Sequence, residues 1–308
     1  MEAASIGAGA TQRRRSKGMP ERRLAVLMVA PSMILIAVVA AWPIIYAIWL
    51  SLHEYSVRVA GLSRWAGPLG LRNYSTALGD ADWWAALEHT LIFTVASVTL
   101  ELLIGLGMAL AMHEAFRGQG LLRTVVLVPW AVLTVVTATM WRTMFVSPYG
   151  FVNTILGTKT VWLGSEPQAL IVIIVADVWK TSPFMALLIL AGLQVIPGEI
   201  YEAAKVDGAS TWQRFTRITL PLLMPAILVA LIFRTLDALR IFDLPFVLTK
   251  GAHGTNTLSL ESYQTFLANN IIGLGAAMAV LTFIIVMAVS FLYIRFVGGN
   301  IRGMAEET

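Results

Sequence analysis

Charged residues stand where an apolar chain tolerates them least. Glu101, Arg142, Asp177, Lys180, Arg234, Asp237, Arg240 and Asp243 lie in, or at the edge of, long runs of Ala, Val, Ile and Leu. In hydrocarbon each ionised group costs about 2.5–3.5 kcal/mol unless it is paired or hydrated. Two kinds of chemistry answer that cost. Asp177/Lys180 and Arg234/Asp237 are each three residues apart, so either pair can close on its own helix and neutralise itself. Alternatively Trp141, Asp177, Lys180, Arg234, Asp237 and Arg240 line a wet pathway, the charges bonding solute hydroxyls and Trp141 and Trp179 offering stacking faces. At about 3.6 residues per turn Arg234 and Asp243 face nearly opposite sides, so Arg234, Asp237 and Arg240 form the set expected to share one cavity. Glu101, ahead of Gly105 and Gly107, is open between a protonated buried carboxyl and a partner for a basic residue of a neighbouring helix.

A second group lies in the polar stretch 194–217. Pro197 is expected to start a short helix with Glu199 and Glu202 near its positive end, and Gly208 to end it in the left-handed conformation glycine reaches most easily. Ser210 then caps a second short helix carrying Trp212 and Phe215. The product is a helix–turn–helix knob that offers Ala203, Ala204 and apolar side chains to a groove on a partner. Without further signals it would read as an idle interfacial loop.

Other chemistries find no residues. There is no cysteine, so no thiolate, disulfide or Cys-ligated metal. His53, His89, His113 and His253 are scattered, which leaves no metal site and no catalytic cluster. A phosphate-binding loop is also missing: Gly157-Thr158-Lys159-Thr160 lacks the glycine that must precede the lysine. No nucleic-acid motif is present.

These groups sit in a chain of 308 residues of which 57% are hydrophobic and 13% charged, with a net charge of +4. Soluble domains carry about 25% charged residues, so a membrane protein is the class that remains. A bilayer core of about 30 Å needs roughly 20 apolar residues of helix. Six stretches supply them: Leu24–Leu52, His89–Met112, Thr124–Val146, Ala169–Leu193, Ile218–Leu239 and Ile272–Val297. The first is an uncleaved anchor behind a basic, disordered tail (residues 1–23), bent at Pro31 and Pro43. Pro183, Pro221 and Pro225 suggest irregular backbone at depth. With the N-terminus inside, thirteen Lys and Arg fall in inner segments against five in outer loops, which places both termini in the cytoplasm. The domain plan is therefore a tail, a six-span domain over 24–300 with an inner loop at 194–217, and a short inner tail over 301–308. The tryptophans of the first outer loop, Trp65, Trp83 and Trp84, serve an interfacial belt or a docking surface for an external partner.

The inner loop carries a resemblance. Glu202-Ala203-Ala204, Gly208, Ile218 and Leu220-Pro221 keep every spacing of the coupling motif of binding-protein-dependent ABC importer permeases. Leu127-Val128-Pro129-Trp130 through Trp141-Arg142, and Trp179-Lys180-Thr181-Ser182-Pro183-Phe184, are similar to spans of the maltose-type sugar permeases. Phe233-Arg234-Thr235-Leu236-Asp237 with Arg240-Ile241-Phe242-Asp243 is similar to a permease of the actinobacterial trehalose-recycling importers. The resemblance implies an all-α protein with the type I ABC importer permease fold, in the bacterial cell membrane. It implies no enzyme activity in this chain and no cofactor of its own. ATP and Mg are expected on two ATPase subunits, beside a second permease and an external solute-binding lipoprotein that delivers a disaccharide, with trehalose the expected sugar. Glu202, Ala203, Ala204, Gly208, Trp212, Phe215, Leu220 and Pro221 are then the residues that couple to the ATPase. An ion-driven secondary transporter is the alternative that the membrane carboxylates suggest, but such folds are built on inverted repeats, and no repeat is found.

Overall fold

The computed structural model describes residues 21–56, 64–66, 69–114 and 117–306, so the basic tail up to residue 20 and the last two residues fall outside the described residues. The chain divides into two compact units, 1–46 and 47–308.

In the first unit, helix α1 (Glu21–Ile36) passes through Pro31 without a break and leads into a π turn, Ala37–Ala41, ahead of α2 (Trp42–Ser51). The departure from α-helix is thus at 37–41, where the Trp42 N–H bonds the Ala37 carbonyl just before Pro43. Pro43 brings no N–H, and a wider turn ahead of it relieves its ring. Leu27, Met28, Val39 and Trp42 are all exposed.

Beyond α2, the second unit continues with a short hairpin, β1 (Glu54–Ser56) paired with β2 (Arg64–Ala66), followed by α3 (Arg72–Leu78). Helix α4 (Ala81–His113) starts about two turns before the apolar run, because Asp80 caps it through the Asp82 N–H and Trp83 and Ala86 are buried against Leu258 and Met278.

Span 3 departs from expectation. Instead of one helix over 124–146 there are two, α5 (Gln119–Ala131) and α6 (Thr134–Phe145), bent by 87° at Val132–Leu133. Pro129 near the end of α5 withholds an N–H, and both Val132 and Leu133 leave the helical region with ψ of 136° and 134°. Five stretches of helix among the described residues are long and apolar enough to cross a membrane, or six when this bent pair counts as one span.

The segments expected outside, 147–168 and 240–271, are more ordered than their Gly, Asn and Thr content suggests. Helix α7 (Phe151–Leu156) precedes α8 (Gln168–Leu193). The 194–217 loop holds α9 (Gly198–Val206) and α10 (Thr211–Arg214), then a π turn, Phe215–Thr219, and α11 (Leu220–Ala238). Helices α12 (Asp243–Leu248) and α13 (Leu258–Tyr263) occupy the segment 240–271, and α14 (Ile272–Glu306) follows, running as helix through most of the expected tail. Of Pro183, Pro221 and Pro225, only Pro221 follows irregular backbone; α8 and α11 run through the other two. Beside Pro183 the hydroxyls of Thr181 and Ser182 donate to carbonyls one turn back, at 2.6 Å each. Such hydroxyls help a proline persist inside a buried helix.

Helix α8 is the centre of the second unit, and α4 lies along it. Lipid removes the hydrophobic drive between helices, so close approach and polar contacts must hold them. Gly105 provides the approach, since a Cβ there would stand 2.8 Å from Met185 Cγ, whereas Gly107 meets nothing. Two buried clusters flank the contact, one around Phe93, Trp141, Ile173 and Leu244, the other around Met112, Met185, Ile189 and Leu223.

Candidate functional site

The 194–217 loop is built by short-range rules. Pro197, in extended conformation, precedes α9, which carries Glu199 in its first turn and Lys205 in its last, both matched to the helix dipole. At its end the Gly208 N–H bonds the Lys205 carbonyl at 3.1 Å and the Ala209 N–H bonds the Ala204 carbonyl at 2.9 Å. That pair of bonds is the Schellman closure, and it needs the left-handed φ of +76° that Gly208 adopts. Nothing lies within 4 Å of a Cβ built on Gly208, so conformation rather than space demands glycine. Two residues on, Ser210 and Gln213 form a reciprocal capping box: the Ser210 N–H donates to Gln213 Oε1 at 2.8 Å, and the Gln213 N–H donates to Ser210 Oγ.

The result is a stiff protrusion with an apolar skin. Val206 is 88% and Trp212 71% exposed, and Phe215 lies 5.8 Å from Trp212 between ring centres. Glu202, Ala203 and Pro221 are exposed; Ala204 and Leu220 are half-buried. Tyr201 reaches the Thr219 hydroxyl at 3.1 Å and ties α9 to the π turn. Between this knob and the ends of α4 and α8 lies a groove of about 810 Å³, lined among others by His113, Leu193, Lys205, Trp212 and Phe215.

The charges inside the spans converge on one guanidinium. Arg234 of α11 grips Glu101 of α4 through Nε and Nη2, reaches Asp177 of α8 through Nη2, and meets Asp237 one turn along its own helix through Nη1 at 2.8 Å. Thr181 Oγ1 also stands 2.7 Å from Glu101 Oε1, so its one hydroxyl hydrogen is shared between that oxygen and the Asp177 carbonyl. Arg234, Glu101 and Asp177 are all buried, so one fork-shaped donor joins three helices away from solvent. Glu101 is therefore a partner for a basic residue of another helix. The Arg234/Asp237 pair forms as its spacing allows, but Asp177 and Lys180 do not close on each other. Asp177 turns to Arg234, and the Lys180 ammonium donates instead to the Val132 carbonyl at 2.6 Å. A guanidinium offers five donors and outcompetes a single ammonium for a buried carboxylate.

The six pathway residues separate accordingly. Trp141, Asp177, Lys180 and Arg234 are buried, with the Trp141 ring edge-on to Trp179 at 6.0 Å and its indole nitrogen without a protein partner among the described residues. Asp237 and Arg240 are exposed, and Arg240 lies past the end of α11, where its Nε bonds the Leu236 carbonyl at 3.1 Å. Asp243 starts α12 rather than continuing span 5. The three charges expected to share one cavity thus split into a buried hub, a side chain on its rim and a capping group.

Comparison with known proteins adds a family. Residues 102–302 match the model of the binding-protein-dependent transport system inner membrane component. The chain belongs to that family. This permease is 43% identical over 92% of its length to the trehalose transport system permease protein SugA of Mycobacterium tuberculosis, covering 92% of that protein as well. It is 42% identical over 89% of its length to the trehalose/maltose transport system permease protein MalF of Thermococcus litoralis, covering 94% of that protein. Among solved structures, a bacterial ABC transporter involved in import of the acidic polysaccharide alginate superposes with a TM-score of 0.77 at 21% identity, over 89% of this chain and 95% of that one. The fold is thus that of a type I ABC importer permease, a multi-pass membrane component, with ATP hydrolysis belonging to separate subunits.

Proposed function

We propose that this permease forms half of the translocation pathway of an ATP-driven importer of a disaccharide, with trehalose as the substrate. The observation that carries the reading is the near-full-length identity, above 40%, to permeases named for trehalose and for trehalose/maltose. Its partners are a second permease, two ATPase subunits that hold ATP and Mg, an external solute-binding lipoprotein, and the surrounding lipid. Both termini and the 194–217 loop lie in the cytoplasm.

The loop is the coupling element. A partner groove that closes on ATP pushes on Glu202, Ala203, Ala204, Trp212 and Phe215, and the Gly208 turn passes the force through Leu220-Pro221 into α11. The Schellman closure and capping box support this role, because a lever must be stiff between the point of force and the moving span. In the pathway, Asp237 and Arg240 offer exposed groups to sugar hydroxyls, while Trp141, Asp177, Lys180 and Arg234 stand behind them.

Reconstitution of the assembled transporter in liposomes tests the reading. Labelled trehalose is expected to accumulate with ATP and loaded binding protein, and not with an ion gradient alone. Accumulation driven by a proton or sodium gradient without ATP would transfer the protein to the secondary transporters.

A further inference from the structure

We infer that Lys180 is a positioning residue: its ammonium pins the break in span 3 and so fixes the direction in which α6 leaves it. A helix that ends inside a membrane exposes its last carbonyls and the negative end of its dipole, with no water to satisfy either. Helix α5 ends at Ala131, in the middle of the apolar run 124–146, and Val132 turns its backbone out of the helical region. Lys180 supplies both missing needs, a donor and a positive charge, through its 2.6 Å bond to the Val132 carbonyl. Lys180 is only 8% exposed, so the bond is not shared with bulk solvent. One turn along α8, Phe184 stacks on Trp130, ring centres 5.8 Å apart and planes 16° apart. Lys180 and Phe184, one turn apart on the same face of α8, therefore both hold the end of α5. Beyond the two-residue break, α6 packs against α12 and carries Trp141 onto Trp179 of α8. Pro129 removes one internal bond from α5 just before the 87° bend.

A substrate contact at the same residue makes a different prediction, and the inference rests on the importer reading only for its transport arm. The chain lacks cysteine, so spin labels at Val125→Cys on α5 and Val136→Cys on α6, both exposed, report the bend with no background from this chain, in a transporter assembled with cysteine-free partner subunits. We expect a narrow distance distribution in the parent, a broad one in Lys180→Met, and recovery in Lys180→Arg, which keeps a cationic donor. In liposomes, trehalose uptake and the ATP hydrolysis stimulated by loaded binding protein should fall together, by about tenfold in Lys180→Met, as suits loss of one charge-assisted hydrogen bond. Lys180→Arg should keep most of both. A Met variant that does not assemble, beside an Arg variant that does and keeps the narrow distribution, supports the inference equally. An unchanged distribution in Lys180→Met overturns the inference, and if sugar moved per ATP falls in that variant, Lys180 touches the solute instead. Absence of ATP-driven uptake in the parent would sink the importer reading and leave the distance measurement standing.

Discussion

The 194–217 loop and the Arg234 hub solve opposite problems. The loop is a surface device: the bonds that close its turns link residues at most five apart, and Val206 and Trp212 are exposed. The hub is an interior device: its bonds between helices cross 57 and 133 positions of sequence, and its central atoms are withdrawn from solvent. On the proposed coupling role the protrusion has to hold its shape before a partner arrives, and local signals encode that shape. Charges inside a membrane have to be matched across helices, and that matching appears only when the helices pack. The contrast teaches that stiffness at the surface and cohesion in the bilayer are separately encoded, and each fails in its own way.

The largest effect is expected at the hub. Arg234→Met leaves Glu101, Asp177 and Asp237 without their common cation, and breaking one side of a buried pair costs about 3–5 kcal/mol. Little assembled transporter should be recovered, as read by co-purification with its partners. At the loop, Gly208→Val forces a β-branched residue to a φ of +76°, which costs about 1–3 kcal/mol of local strain and opens the closure. Uptake should be lost while the subunits remain individually stable. Gly208→Ala has free space and should retain partial transport, which separates conformation from bulk.

Asp237→Ala removes the rim carboxylate but leaves Arg234 two buried partners. Sugar uptake and sugar-stimulated ATP hydrolysis should drop with assembly intact, and unchanged uptake would return Asp237 to a purely structural role. The smallest effect is at the cap: Ser210→Ala removes one half of the capping box, worth about 1 kcal/mol. It should lower the melting temperature of the assembly slightly and uptake by a few-fold or less. Were the hub variant to assemble normally while the cap variant did not, the contrast between the two regions would be reversed.

How much was legible follows from the same division. Pro197, Gly208 and Ser210 announced the loop because start, stop and cap are properties of neighbours in sequence. The membrane character and span positions were legible because twenty apolar residues have one economical place to go. The partners of Arg234 were not, since spacing along α8 offered Asp177 to Lys180 equally well, and the choice depends on which face of α8 meets α11. The 87° break was hidden because Pro129 marks a weak point without giving the angle. One signal was missed. Two of the three π turns among the described residues end two residues before a proline, at Pro43 and Pro221, which marks where a long apolar run departs from regular helix.

The claim on which the account depends is that the 194–217 protrusion seats in the ATPase on the cytoplasmic side. A single cysteine at Val206, 88% exposed on that protrusion, tests it in a chain that has none of its own. A membrane-impermeant maleimide should fail to label Val206→Cys from outside sealed cells. In inside-out vesicles it should label fully only after the ATPase subunits are stripped away. Labelling from outside, or labelling indifferent to the ATPase, would contradict the account.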